Sequence, residues 1–337
     1  MQFGQALRST GAGIKRGFAR LFSAFGRIDP ERAGRWAKRA GVGLLVLVLL
    51  YYPVGMLIVH RIDDDRSFGP SAADLKPGQS LAVAMLSALV DREVNQHRWV
   101  PNDPFFMPAA LLDNMPNYQL GMMGALARFG NELRDQLGRT RGSSRADEDL
   151  QAAAGLLQYD GTQWIWDPTV SLIPTASSEA QYLKALRSLE SYSERLATGD
   201  AVYELRSDNL LATLDRIALD IGSSSAALEN RVKIGSGQLI DTAADDVFYR
   251  VKGQMYAYFM ILRALKTDFA SVIETRDLTG AYDQMLDSFE ETVRLDPWVV
   301  VNGAPDGQFM PSHLAAQGFY ILRARTQLRE ITNILQT

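Results

Sequence analysis

The stretch DDVFYRVKGQMYAYFMILRALKTDF, Asp245–Phe269, places apolar side chains at Phe248, Val251, Met255, Tyr258, Leu262, Leu265 and Phe269. The steps alternate between three and four residues, the seam spacing of a coiled coil or an antiparallel helical bundle. The same period recurs on both sides of it. Met122, Leu126, Phe129, Leu133 and Leu137 form one stripe, and Tyr182, Leu186, Leu189 and Leu196 a second. Leu210, Leu214, Ile217 and Ile221 form a third. Tyr282, Met285, Phe289 and Val293 make another, and Ile321, Leu328, Ile331 and Leu335 close the chain. Methionines and aromatics at this spacing are core rather than a cofactor box.

The pattern predicts an all-α, bundle-like body of about eight helices, near 79–98, 116–138, 145–158, 178–198, 201–228, 244–272, 280–294 and 311–335. Ser144, three residues before Asp147, resembles a capping box, while ATGD after Leu196 and DIGSSS after Leu219 read as stop or kink signals. Strand is expected in at most a short β-hairpin, at 163–174 or 231–240.

Before the body comes AGVGLLVLVLLYYPVGMLIV, Ala40–Val59, twenty residues without a charge. As a helix it would span about 30 Å, the thickness of a bilayer core. Pro53 sits in its last third, where a kink is plausible. Arg27, Arg32, Arg35, Lys38 and Arg39 crowd its N-terminal side, and Asp63, Asp64 and Asp65 follow it as a solvated stop. The positive-inside rule then places the N-terminus in the cytoplasm and the large body outside it. The chain divides into a basic head (1–39), a transmembrane helix (40–60), a linker (61–78) and a helical domain (79–337). In the head, Lys15, Arg16, Phe18, Arg20, Phe22 and Arg27 fit a basic amphipathic helix on anionic headgroups.

Of the 337 residues, 1–39 carry nine Lys/Arg and two acids, and the remainder carries 26 and 37. The net charge of −4 therefore splits into +7 and −11. An acidic body argues against a nucleic-acid partner. With no cysteine there is no disulfide, thiolate nucleophile or cysteine metal site. The three histidines, His60, His97 and His313, have no helical pairing that would hold zinc. No nucleophile elbow, P-loop or other reaction motif occurs, so no cofactor and no enzyme activity are expected.

Two loops echo one another. Trp99–Pro108 reads WVPNDPFFMP and Trp298–Pro311 reads WVVVNGAPDGQFMP, each opening a helix. Trp99 and Trp298 are expected to pack beneath their loops. The loops and their flanks supply the candidate partner or ligand surface: Trp99, Asn102, Asp103, Asp113, Asn114, Tyr118, Gln119, Trp298, Asn302 and His313. If the loops met, Asp103, Asp113, Asp306 and His313 could do acid–base work on a glycan. The plainer reading is that Asp113 and Asn114, just before Pro116, satisfy the free N–H groups of a helix start.

LLDNMPNYQLG (111–121), SSEAQYLKALRSLESYSERL (177–196), RSDNL (206–210) and the opening stretch above occur in this order. In wording and order they resemble a family of bacterial membrane proteins, domain of unknown function 2333. The resemblance covers about residues 40–335 and implies a single-pass inner-membrane protein of Gram-negative bacteria with a helical periplasmic part. It carries no activity, substrate, cofactor or catalytic residue. The expected role is an envelope scaffold or interaction component, with the phospholipid bilayer and other envelope proteins as partners. A module binding lipid or peptidoglycan fragments is the alternative, followed by a carboxylate-dependent envelope hydrolase. The oligomeric state is open.

Overall fold

The computed structural model describes residues 30–139, 145–166, 168–169, 171–235, 241–305 and 310–337. The chain forms two compact units, residues 1–55 and 56–337. The first unit is occupied by α1 (Pro30–Val59), whose last turn belongs to the second. α1 starts ten residues before the apolar run, so Arg32, Arg35, Lys38 and Arg39 ride on its first turns, and it continues through Pro53. Its stretch Gly34–Val59 is long and apolar enough to cross a membrane and is not buried by the protein. The head residues Lys15, Arg16, Phe18, Arg20, Phe22 and Arg27 lie outside the described residues.

The second unit is all-α. Its helices are α2 (Leu81–Asp91), α3 (Asn114–Glu132), α4 (Glu148–Leu157), α5 (Ser178–Thr198), α6 (Ser207–Gly235), α7 (Thr242–Asp268), α8 (Ala270–Thr275), α9 (Thr279–Arg294) and α10 (His313–Gln336). Helices α2 and α3 run on into π turns at Arg92–Gln96 and Leu133–Leu137. Every residue of the stripes named above is buried. The central helix, α7, goes further than a stripe: each residue from Val251 to Leu262 is buried, so it is wrapped on all sides. It crosses α3 backbone to backbone. A methyl at Gly121 would overlap the Arg250 carbonyl, and one at Gly253 the Tyr118 carbonyl. Asp268, closing α7, accepts from Ser80 Oγ (2.7 Å), Leu81 N (2.8 Å) and Ala82 N (3.0 Å), and so caps the start of α2.

Several local expectations change. DIGSSS does not stop α6, which continues to Gly235, because the Arg325 side chain from α10 lies over Gly222 and packing uses the glycine. Asp147, rather than Ser144, caps α4, accepting from Asp149 N (3.0 Å) and Leu150 N (3.3 Å); Ser144 lies outside the described residues. Gly199 ends α5 in the left-handed conformation (φ 80°), as ATGD implies. Among the described residues neither expected hairpin is a strand pair, and 236–240 lie outside them. The ends of the 163–174 loop are joined by Thr175 N to Ile165 O (2.8 Å) and by Ser178 N and Oγ to Gln163 O (both 3.0 Å), and 231–235 is helical. Among the described residues, extended pairing is confined to one antiparallel bridge, Asn302 to Ser312.

The segment after α1 is strapped to the body. Tyr118 Oη donates to Asp63 O (2.8 Å), Tyr256 Oη to Asp65 O (2.8 Å) and Arg92 to Asp63 O (3.1 Å). Lys252 Nζ meets Asp64 Oδ2 at 2.8 Å, and Arg263 donates to the carbonyls of Arg66 and Phe68. The Arg92 guanidinium lies over the Phe68 ring at 4.4 Å. Tyr118, Tyr256, Arg92 and Lys252 are all fully buried. Asp63–Asp65 thus form a docked strap, not merely a solvated stop. Burial disfavours the Arg92 charge, but Glu93, Tyr256, Tyr118 and Asp63 more than compensate and hold its pKa above the usual guanidinium value.

Candidate functional site

The two echoed loops are built alike. Asn102 donates its amide to Gln163 O (3.0 Å) and to Glu179 Oε2 (2.8 Å). Asn302 donates to Arg231 O (3.2 Å) and to Asp241 Oδ2 (2.8 Å). Each asparagine pins its loop to one backbone carbonyl and one carboxylate, and each leaves a buried Oδ1 without a hydrogen-bond donor among the described residues. Asp241 is itself ion-paired to Arg231.

The tryptophans part company. Trp99 is buried, donates Nε1 to Gly161 O (2.8 Å) and meets the Tyr182 ring edge-on at 5.0 Å. Trp298 is fully exposed, with Val299 beside it, which corrects the expectation that it packs beneath its loop. The preceding Leu295 carbonyl is held by Lys252 Nζ (2.9 Å), so the chain is fixed three residues before the indole projects.

Most of the first loop is internal. Tyr118 and Gln119 are fully buried and Asn102 nearly so. Gln119 accepts from Val100 N (3.1 Å) and donates to Glu93 Oε2 and Arg98 O (both 3.0 Å). Tyr118, Gln119 and Trp99 thus spend their polar atoms inside the body, while Asn102 also lines the recess that holds Asp103. Asp103 is ion-paired to Arg98 at 2.8 Å. It lines a recess with Phe105, Phe106, Trp164 and Trp166, on a different wall from Asn302. His313 accepts from Val301 N at Nδ1 (2.9 Å) and returns a backbone bond to Val301 O (3.0 Å). Burial lowers its pKa, which keeps the ring neutral and in a structural role. Asp306 lies outside the described residues. Of the supposed acid–base group, Asp103 and His313 are therefore held in separate structural duties.

Asp113 is the N-cap of α3, accepting from Asn114 N (2.8 Å), as the plainer reading holds. Asp245 stands in the first turn of α7 and Asp246 directly after it, so the positive ends of two helices meet here. One carboxylate oxygen from each of Asp113, Asp245 and Asp246 lies within 4.8 Å of the others, and this trio could hold a cation. Asn117 donates to Asp246 at 2.7 Å. Burial, and then the Asp113 charge, push the pKa of both Asp245 and Asp246 upward. Sequence periodicity could not reveal the trio, because it depends on the α3–α7 crossing.

Beside it lies a recess of about 280 Å³, lined by Asn114, Asp241, Thr242, Asp245, Tyr249 and residues 298–302. The first residue of α3 and the start of the second loop thus line one cavity, while the first loop lines the separate recess that holds Asp103. Asn114 Oδ1 and Asn302 Oδ1 are both buried without a donor. The Asp245 carboxylate also lines the recess and the Trp298 indole stands at its rim, so its wall is acidic and rich in acceptors. Such a wall suits a group that brings hydrogen-bond donors and positive charge, with cation–π contact at the rim.

No curated protein and no solved structure matches the chain. A family model does, over residues 79–244 and 240–337, which takes in all the helices of the second unit. The matched residues include the crossing glycines Gly121 and Gly253, the paired asparagines Asn102 and Asn302, and the carboxylate trio. The chain belongs to the family described as an uncharacterized protein conserved in bacteria, DUF2333.

Proposed function

We propose that this is a single-pass inner-membrane protein whose acidic helical body lies in the periplasm and works as an interaction platform for other envelope proteins. The supporting observation is the Trp298 recess. A fully exposed tryptophan beside an exposed valine, above buried oxygens that lack donors, has the make-up of an interface waiting for its partner. The partner chemistry it fits is a polypeptide segment that presents lysine or arginine. The apolar α1 and the arginines and lysines on its first turns support the membrane placement and its direction. The strap supports a platform rather than a free tether, since buried side chains hold residues 63–65 against the body.

The test is co-purification of the full-length protein from detergent at native abundance. Wild type is expected to bring one reproducible partner. The double variant Trp298→Ser, Val299→Ser should weaken that partner's affinity by about 2 kcal/mol, some thirtyfold, without moving the melting temperature. Recovery of the wild type alone would count decisively against the proposal.

A second reading, a binding module for lipid or glycan fragments, draws on the other recess, of about 590 Å³, where Phe106 meets Trp164 edge-on at 5.6 Å. It predicts a ligand-dependent change in tryptophan fluorescence with an envelope lipid extract, which the platform reading does not.

A further inference from the structure

The loop between Val100 and Met115 stands on the point where the chain leaves α1. Val100, Ala109 and Met115 form a small apolar cluster of their own, and Val59 and Ile62 pack against it. All five belong to the second unit, so this packing is internal to the body. Chain connectivity then fixes the neighbourhood of the loop. If α1 spans a bilayer, Val59 lies at its boundary, and the cluster that Val59 packs against holds both feet of the loop.

What the loop presents there is apolar. Phe105 is 83% exposed, and Leu111 and Phe106 are exposed as well. Phe105 is four residues from Ala109, so it lies within about 14 Å of that foot even for an extended chain. The neighbouring 159–177 loop adds the exposed Trp166 across the same recess. Aromatic side chains favour the interfacial layer of a bilayer. The loop backbone is also closed on itself: Asp103 N donates to Val100 O (3.0 Å), Met107 N to Pro104 O (2.8 Å) and Ala110 N to Met107 O (3.1 Å). Pro101, Pro104 and Pro108 have no N–H to satisfy. A loop with few open donors can enter a less polar layer at low cost. Of its two acids, Asp103 is ion-paired to Arg98, and Asp113, at the foot of the loop, caps α3.

We infer that Phe105, Phe106 and Leu111 form a second membrane contact, seated in the headgroup layer of the bilayer that α1 crosses. The inference rests on the membrane placement proposed above. It gives the strap a purpose, because two contacts and a fixed strap would set the height and tilt of the body over the membrane.

The chain has no native cysteine, so single-cysteine variants report single sites. Full-length Phe105→Cys and, as reference, Phe319→Cys on α10, which is also exposed, would each carry a polarity-sensitive NBD label. The proteins would be reconstituted in vesicles of phosphatidylethanolamine and phosphatidylglycerol, with and without a shallow doxyl-labelled lipid. The label at 105 is expected to shift to the blue and lose most of its emission to the doxyl lipid, while the label at 319 does neither. Equal, water-like behaviour at both sites in vesicles that retain the protein through a carbonate wash would overturn the loop contact and leave the anchor standing. Loss of the protein in the carbonate wash would overturn both. Protection of the label in native membranes but not in pure lipid would show that a protein, not the bilayer, covers the loop, and would also overturn the inference.

Discussion

Asn102 and Asn302 do one job at two places, and this much is legible as a repeated Trp-Val-to-Asn phrase. The divergence of Trp99 and Trp298 is not. Trp99 has the Gly161 carbonyl and the Tyr182 ring as neighbours, both from distant parts of the chain, and the echo supplies no counterpart for Trp298. Tyr118 and Gln119 likewise read as surface polar residues, since nothing local shows that Asp63 and Glu93 will receive their hydrogen bonds. At this scale the carboxylate trio makes a prediction. Asp245 and Asp246 have folded-state pKa values raised by burial and by Asp113. A carboxyl with a raised pKa holds its proton more tightly when folded, so its contribution is present below the ordinary carboxylate range and lost as pH rises through the raised value. Asp113→Asn keeps a capping side chain and removes the repulsion. With a chelator present, it should stabilise the protein at pH 7 by about 0.5 kcal/mol, modest because the groups are partly exposed and screened. The gain should vanish near pH 3, where the acids are protonated. A thermal melt showing the variant less stable at pH 7 would contradict this.

The helices themselves were the most readable level. Periodicity located the main elements of the body because each buries a face with 3.6-residue spacing. It failed in two instructive places. The glycine in DIGSSS reads as a stop, yet Gly222 accommodates Arg325 inside a continuous helix. Stripe counting assigned α7 one buried face, whereas α7 is buried all round and must satisfy Lys252 and Gln254 internally, through Asp64, Leu295 O and Asp220. Glycines in α3 separate these effects. Gly121→Ala sets a methyl against the backbone of α7 and should cost about 3 kcal/mol or more. Gly124→Ala, with nothing near the added carbon, should instead gain about 0.5–1 kcal/mol from helix propensity. Denaturant melts of the two variants should move in opposite directions; a shared sign would mean that the α3–α7 crossing is misread.

For the molecule as a whole, an apolar helix long enough to cross a membrane is followed at once by a strapped segment and an acidic helical body. The helix was plain in the sequence, since twenty uncharged residues need no tertiary knowledge. The strap was hidden, because Asp63, Asp64 and Asp65 look solvated until Arg92, Tyr118, Lys252 and Tyr256 are seen to face them. The central claim is that this body exists to be bound, and that binding occurs at the Trp298 recess. The direct measurement places a photo-crosslinking amino acid at position 298 in the living bacterium, with position 319 on α10 as reference. The account predicts one discrete adduct of constant mass from 298 and none from 319. No adduct at 298, or the same smear of adducts from both positions, would contradict it.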